Sequence, residues 1–266
     1  MDPFQQVDLN NVLYFDKLPL STKWLGKQLK TFHLVDSTQT VAKKMANGCP
    51  NGTIILSNQQ EAGKGRLNRK WFSSSNEGLW MSILLKPRIE SQVISQLTLL
   101  TAIAMVQALK DFDIKADIKW PNDCLVNGKK IAGILTEASV SGNKVEYIVI
   151  GIGLNLFQNK HNLPEEIQNI ATSIKMSTDT FFTKFEVLDR ILMRLEDLIE
   201  LYLTEGFSPI RELWLQYTSS IGKLVFVDKG TEKEFGKIIG LSPEGYLLLE
   251  NEEKITPILV GDVHFL

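Results

Sequence analysis

Apolar and polar residues change period several times along this chain, and each change predicts an element. "TFHLV" and "GTIILSN" are short β-branched or apolar runs of strand length. Between them lies "DSTQTVAKKMANG", with Val41 and Met45 on one helical face, Asp36 or Ser37 as the N-cap and Gly48 as a left-handed stop. "LWMSILLK" predicts another buried strand. Residues 91–109 place Val93, Ile94, Leu97, Leu100, Ala104 and Leu109 at helical spacing and turn apolar nearly all round, as suits a helix lying across a sheet. "DIKWPNDCLVNGKKIAGILTEA" reads as strand, kink, strand, Asn127-Gly128 turn, strand, and "KVEYIVIGIGLNLF" as one further long strand. Thr183 and Glu186 form a capping box for a helix carrying Phe185, Leu188, Leu192, Leu195 and Ile199, ended by Gly206; "PIRELWLQY" is a shorter helix after it.

Three stretches break these periods. Residues 1–30 read as an irregular N-terminal arm with one short helix around 22–29, and residues 158–172 as a polar surface loop that orders on a ligand. After Ser220 short strands such as "GKLVFVD", "KEFGKIIGL" and "GYLLLE" alternate with turns, the spacing of a small barrel. The expected organisation is therefore an arm at 1–30, a main domain at 31–218 and a small β domain at 219–266.

Composition narrows the classes of function. With 266 residues, 44% of them hydrophobic, the chain can bury a sizeable core. No apolar run reaches the length of a membrane span and the start lacks the order of a signal peptide, so a cytoplasmic protein is expected. The formal charge of −2 gives no global attraction to nucleic acid, and any anionic ligand must meet local cations. Cys49 and Cys124 are too few for a disulfide framework, and His33, His161 and His264 have no metal-ligand spacing.

Local cations are concentrated in "EAGKGRLNRKWFSSSNEGLW", which hangs between two predicted strands. Gly63, Gly65 and Gly78 free the backbone to aim N–H groups at an anion, and Lys64, Arg66, Arg69 and Lys70 add charge. A mobile basic surface loop would have the same composition, but Trp71 and Trp80 would anchor this one. The spacing is not that of a P-loop. In "KWPND", Pro121 breaks the strand and presents Asn122 and Asp123, or simply makes a turn. Lys130 is a strand-end cation, and Gly133, Gly151 and Gly153 fall inside strands, as on a floor approached by a ligand.

Taken in order, "VDST", "NQQEA", "GKGRLNRKW", "GLWMSILLKP", "KWPND", "GKKIAGILTE" and "VIGIGLN" resemble the biotin protein ligase family, over about residues 31–155. The family's usual loop is Gly-Arg-Gly-Arg-x-Gly-Arg-x-Trp; here Lys64 stands for an arginine and Asn68 for a glycine, and asparagine tolerates left-handed backbone. The resemblance implies an α+β fold, a mixed and largely antiparallel sheet flanked by helices, akin to class II aminoacyl-tRNA synthetases, with a small SH3-like β-barrel at the C-terminus. It implies an ATP-dependent ligase that makes biotinyl-5′-AMP and transfers biotin to a lysine of a biotin carboxyl carrier domain. Implied roles are catalysis for Arg66, Lys130 and Asp123, and biotin binding for Ser37, Thr38, Gln60, Gly63, Lys64, Arg66, Lys130, Gly133 and Gly151. ATP falls to Arg66, Arg69, Trp71, Lys130 and Asn155, with Mg²⁺ held mainly by the nucleotide and no protein ligand for it named. Residues 63–69 are expected to be unfolded without ligand and to close over biotin and the adenylate. The short arm leaves no room for the DNA-binding domain that some family members carry, so no nucleic acid or membrane partner is expected, and a homodimer through sheet edges stays open. The alternatives are a lipoate or octanoate ligase on the related fold and a non-catalytic biotin-sensing regulator.

Overall fold

The computed structural model describes residues 19–87, 94–142, 144–230, 232–252 and 254–266. Most of the expected arm, and the predicted helix start at residues 91–93, lie outside these. The alternating runs form a seven-stranded sheet from β1 (Leu29–Val35), β2 (Thr53–Gln60), β3 (Gly78–Leu85), β4 (Asp117–Lys119), β5 (Asp123–Val126), β6 (Lys129–Ser141) and β7 (Lys144–Asn155). Their order is β1-β2-β3-β7-β6-β5-β4; only β1 and β2 run parallel, joined through helix α1 (Thr38–Met45). The mixed, largely antiparallel sheet inferred from sequence is the one found.

Period-two alternation sorts the strands' side chains to two faces. Ile55, Leu84 and Val149 pack with Val41 and Ala42 beneath α1. Ile54, Ile83, Ile148 and Ile150 face a larger core built by α2 (Ile94–Lys110), α3 (Lys184–Glu205) and α4 (Ser208–Tyr217). The all-round apolar pattern of α2 has its reason here, since α2 is buried against both sheet and helices. The α3 capping box forms as predicted: Thr183 Oγ1 accepts from the Glu186 N–H, and Glu186 Oε2 accepts from the Thr183 N–H. Asn127 and Gly128, at φ of 50° and 76°, turn the β5–β6 hairpin.

Three local expectations fail for identifiable reasons. Residues 22–28 are turns and bends rather than a helix, because the N–H groups of Lys23, Trp24 and Leu25 donate to the buried carboxylate of Glu196 on α3. Gly48 is not left-handed; α1 ends at Ala46 in ordinary helical conformation. Residues 158–172 are less of a surface loop than their polarity suggests: Leu163, Ala171 and Gln158 are buried, and the Lys130 N–H donates to Ile170 O while the Thr172 N–H donates to Lys130 O.

The C-terminal strands β8 (Leu224–Asp228), β9 (Lys233–Leu241), β10 (Leu247–Asn251), β11 (Lys254–Ile258) and β12 (Asp262–Phe265) form an antiparallel sheet in the order β11-β10-β9-β8-β12. It is open: β12 pairs with β8 and β11 with β10, and no hydrogen-bonded seam closes the expected barrel among the described residues. Its inner residues, Val225, Ile238, Leu247 and Val263 among them, belong to the same hydrophobic cluster as the α2 side of the main sheet. Gln96 on α2 donates to Glu244 O and Arg211 on α4 to Leu241 O, which fastens the small sheet in place. No described helix is long and apolar enough to cross a membrane.

Candidate active site

The face of the sheet next to α1 changes character along its length. The cross-strand row Glu137–Val149–Leu84 is succeeded by Leu135–Gly151–Ser82 and then Gly133–Gly153–Trp80. Side chains that would fill the surface disappear, and a cleft of about 250 Å³ opens above the glycines. Every residue assigned to the site from sequence lines it except Gly63, which is buried at its margin.

The Gly-rich stretch forms one wall and closes on itself. Trp71 N–H donates to Gly63 O, Gly65 N–H to Arg69 O, and Lys64 bridges Lys70. A single 3₁₀ turn, Arg66–Asn68, sits at its tip with Leu67 and Asn68 at φ of 52° and 60°. Asparagine in place of the usual glycine is thus accommodated in the left-handed region it tolerates. This loop meets a partner the sequence did not reveal. Arg66 Nη1 lies 3.2 Å from Asn122 Oδ1 and 3.4 Å from Asp262 Oδ1, while Nη2 donates to Gly261 O at 3.2 Å. Arg69 pairs with the other oxygen of Asp262. Burial pulls the Arg66 pKa down and the carboxylates of Asp262 and Asp123 push back, so a well-paired cation stands in a partly desolvated place. Lys64 and Lys70 are exposed.

Opposite, Lys130 Nζ lies 2.7 Å from Asp123 Oδ1, an ion pair by distance whose angle falls short of a hydrogen bond. The same ammonium sits 5.2 Å from the centre of the Trp71 ring. Behind them burial lowers the pKa of the Lys119 ammonium, against the pull of Asp123. Trp71 lies across the paired Gly133 and Gly153; a Cβ on Gly133 would come within 2.9 Å of the ring, and one on Gly153 closer still. Its indole N–H is buried without an acceptor among the described residues. Trp80, by contrast, is fully buried with its Nε1 donating to Ser74 O, and anchors the loop's exit as expected.

At the other end the Thr38 N–H donates to Gln60 Oε1 at 2.8 Å, and Thr38, Ser82 and Gln39 form a buried chain of polar side chains. Ser37 is 1% exposed and caps α1 by position, without a side-chain hydrogen bond to the helix. Asn155 is 5% exposed; its Nδ2 donates to Thr172 O and its Oδ1 accepts from Gln158. Its amide is therefore oriented from behind by a segment that sequence reading left as surface loop. Sequence reading also missed Gln39, Ser82 and Asp262 in the cleft wall, and gave Asn122 no role there. Asn122 had a signal in the kink after Pro121, whereas Asp262 had none.

A cation pair facing two carboxylates at one end and a neutral polar floor at the other suits an anionic ligand with a compact polar head. Comparisons with known proteins agree. Residues 31–155 match the biotin/lipoate A/B protein ligase family. Over 246 residues the chain is 39% identical to the bifunctional ligase/repressor BirA of Bacillus subtilis, covering 92% of this chain and 76% of that protein. It is 31% identical to a biotin–[acetyl-CoA-carboxylase] ligase of Paracoccus denitrificans, covering 86% and 97% of the two chains. The biotin protein ligase of Aquifex aeolicus, solved with biotin and ATP, superposes with a TM-score of 0.78 at 32% identity, over 90% of this chain and 98% of that one. This chain belongs to the biotin/lipoate A/B protein ligase family and, within it, to the biotin protein ligases.

Proposed function

We propose that the chain couples biotin to ATP and passes the biotinyl group to a lysine of a biotin carboxyl carrier domain. The observation that carries this reading is the meeting of Arg66, Arg69, Lys130 and Asp123 with the Thr38–Gln60 floor in one cleft. Bound to that floor, biotin would extend its carboxylate toward the cations. A carboxylate oxygen attacks the α-phosphorus of ATP, the bond to the bridging oxygen breaks, and biotinyl-5′-AMP and pyrophosphate result. The step crowds negative charge, so preorganised cations are its natural catalysts. Arg66 is preorganised by Asn122, Gly261 and Asp262, and retains N–H groups for phosphate oxygens. Lys130 faces it across the cleft from its place beside Asp123.

In the second step a neutral lysine amine attacks the acyl carbon, forming an amide and releasing AMP. Once Lys130 turns to the adenylate, Asp123 is freed to orient the incoming amine and accept its proton. Trp71 covers the glycine strip and excludes water from the mixed anhydride. Mg²⁺ fits as an ion carried by the nucleotide. Among the described residues no three carboxylate, His or Cys side chains converge, and the carboxylates of Asp123 and Asp262 are already paired with cations. When bound, it would neutralise phosphate charge.

Purified protein, ATP, biotin and a carrier domain should yield biotinylated carrier. Transfer of lipoate or octanoate without any biotin transfer would overturn the proposal, and an adenylate that forms but never reaches a carrier would show a binder rather than a ligase.

A further inference from the structure

The side chains beneath the cleft can be assigned proton by proton. Gln39 donates its amide hydrogens to two main-chain carbonyls, Val149 O at 3.1 Å and Leu135 O at 3.3 Å, which fixes Oε1 as the group facing Ser82. Ser82 Oγ lies 3.0 Å from that oxygen and 2.9 Å from Thr38 Oγ1. An amide oxygen cannot donate, so the one Ser82 proton goes to Gln39 and the contact with Thr38 is made by the Thr38 proton. The reverse polarity would leave Gln39 Oε1, in a residue 3% exposed, without a donor. Thr38 Oγ1 therefore offers only lone pairs to the cleft.

A second chain reaches the same point from the loop side. Ser73 Oγ lies 3.2 Å from Trp71 O, a carbonyl that can only accept, so its proton is committed there and Gln60 Nε2 donates to it at 2.8 Å. The Gln60 amide is thereby held with Oε1 toward the Thr38 N–H and the cleft. The one Thr38 proton can serve Ser82 Oγ at 2.9 Å or Gln60 Oε1 at 3.2 Å; given to the nearer oxygen, it leaves Thr38 Oγ1 and Gln60 Oε1 as two adjacent acceptors, an arrangement that calls for donors from outside the protein. Two glycines make room for these chains. A Cβ at Gly151 would lie 2.6 Å from Gln39 Oε1, and one at Gly63 would lie 2.7 Å from Ser73 Oγ.

We propose that Gln39, Ser82 and Ser73 are positioning residues that lock Thr38 and Gln60 as paired acceptors, and so select a ring bearing N–H donors, such as a cyclic urea. A dithiolane ring has none and leaves both acceptors unpaired. The inference deepens the biotin reading and rests on it.

Calorimetric titration of the full chain with biotin tests it. Ser82→Ala, Ser73→Ala and Gln39→Met should each raise the biotin Kd about tenfold, equivalent to about 1.4 kcal/mol. Ser82→Ala with Gln39→Met should be no more than about twofold worse than Ser82→Ala, because both cut one chain, whereas Ser82→Ala with Ser73→Ala should approach a hundredfold. ATP affinity, titrated separately, should stay within about twofold in every variant. Should Ser82→Ala fail to fold, Gln39→Met and Ser73→Ala carry the test. Wild-type binding of biotin with all variants within twofold of it would overturn the proposal, as would equal weakening of ATP. Failure of the wild-type chain to bind biotin would overturn the biotin reading instead.

Discussion

On the floor of the cleft, Thr38, Gln39 and Ser82 are 3%, 3% and 0% exposed and bond to one another and to strand carbonyls. On the covering loop, the Arg69 side chain is 64% exposed and meets the single carboxylate of Asp262, which it shares with Arg66. This floor is the start of α1 bonded to β3, β6 and β7, and it cannot move without disturbing the sheet. The loop is held by long side chains reaching an aspartate almost two hundred residues away in sequence, and such a contact exchanges readily for a phosphate. On the proposed reading, recognition of the neutral head falls to a buried polar network and capture of the anions to a part that can change partners.

The largest effect should come from crowding the rigid side. Gly78→Ala puts a methyl group onto the buried Trp80 ring, and a loss of about 3 kcal/mol in urea unfolding is expected. A stable variant would show that this edge of the floor yields as the loop does. Next, Arg66→Ala and Lys130→Ala should each slow adenylate formation at least about tenfold, or 1.4 kcal/mol, while unfolding stability shifts by less than about 1 kcal/mol. Unchanged pyrophosphate release in both would remove these residues from the chemistry.

A smaller change is expected at the latch. Asp262→Asn weakens the hold on both arginines, so trypsin should cut after Arg66 or Arg69 about threefold faster in ligand-free protein. Biotin with ATP should protect wild type and variant alike; equal cleavage with and without ligands would mean that the loop does not cover them. Smallest is the response to salt. Raising sodium chloride tenfold should speed cleavage of the wild-type loop by no more than about twofold. A larger response would show that the ion pairs with Asp262 alone hold the loop.

Sequence alone determined the elements whose causes are local. The α3 capping box, the Asn127-Gly128 turn, the long α2 and the alternating strands follow from periodicity and capping within a few residues, and Gly63, Gly133, Gly151 and Gly153 were already conspicuous as strand or loop glycines. What fills the space above those glycines came only from the fold: Trp71 over 133 and 153, Gln39 over 151, Ser73 over 63. Tertiary structure likewise decided that residues 22–28 give their N–H groups to Glu196 instead of to a helix, that β11 and β12 leave the small sheet open, and that Asp262 meets Arg66. Local patterns report the hydrogen bonds a segment can make with itself. The proton of a buried serine, or the charge opposite an arginine, depends on which distant chain the core brings within about 3 Å.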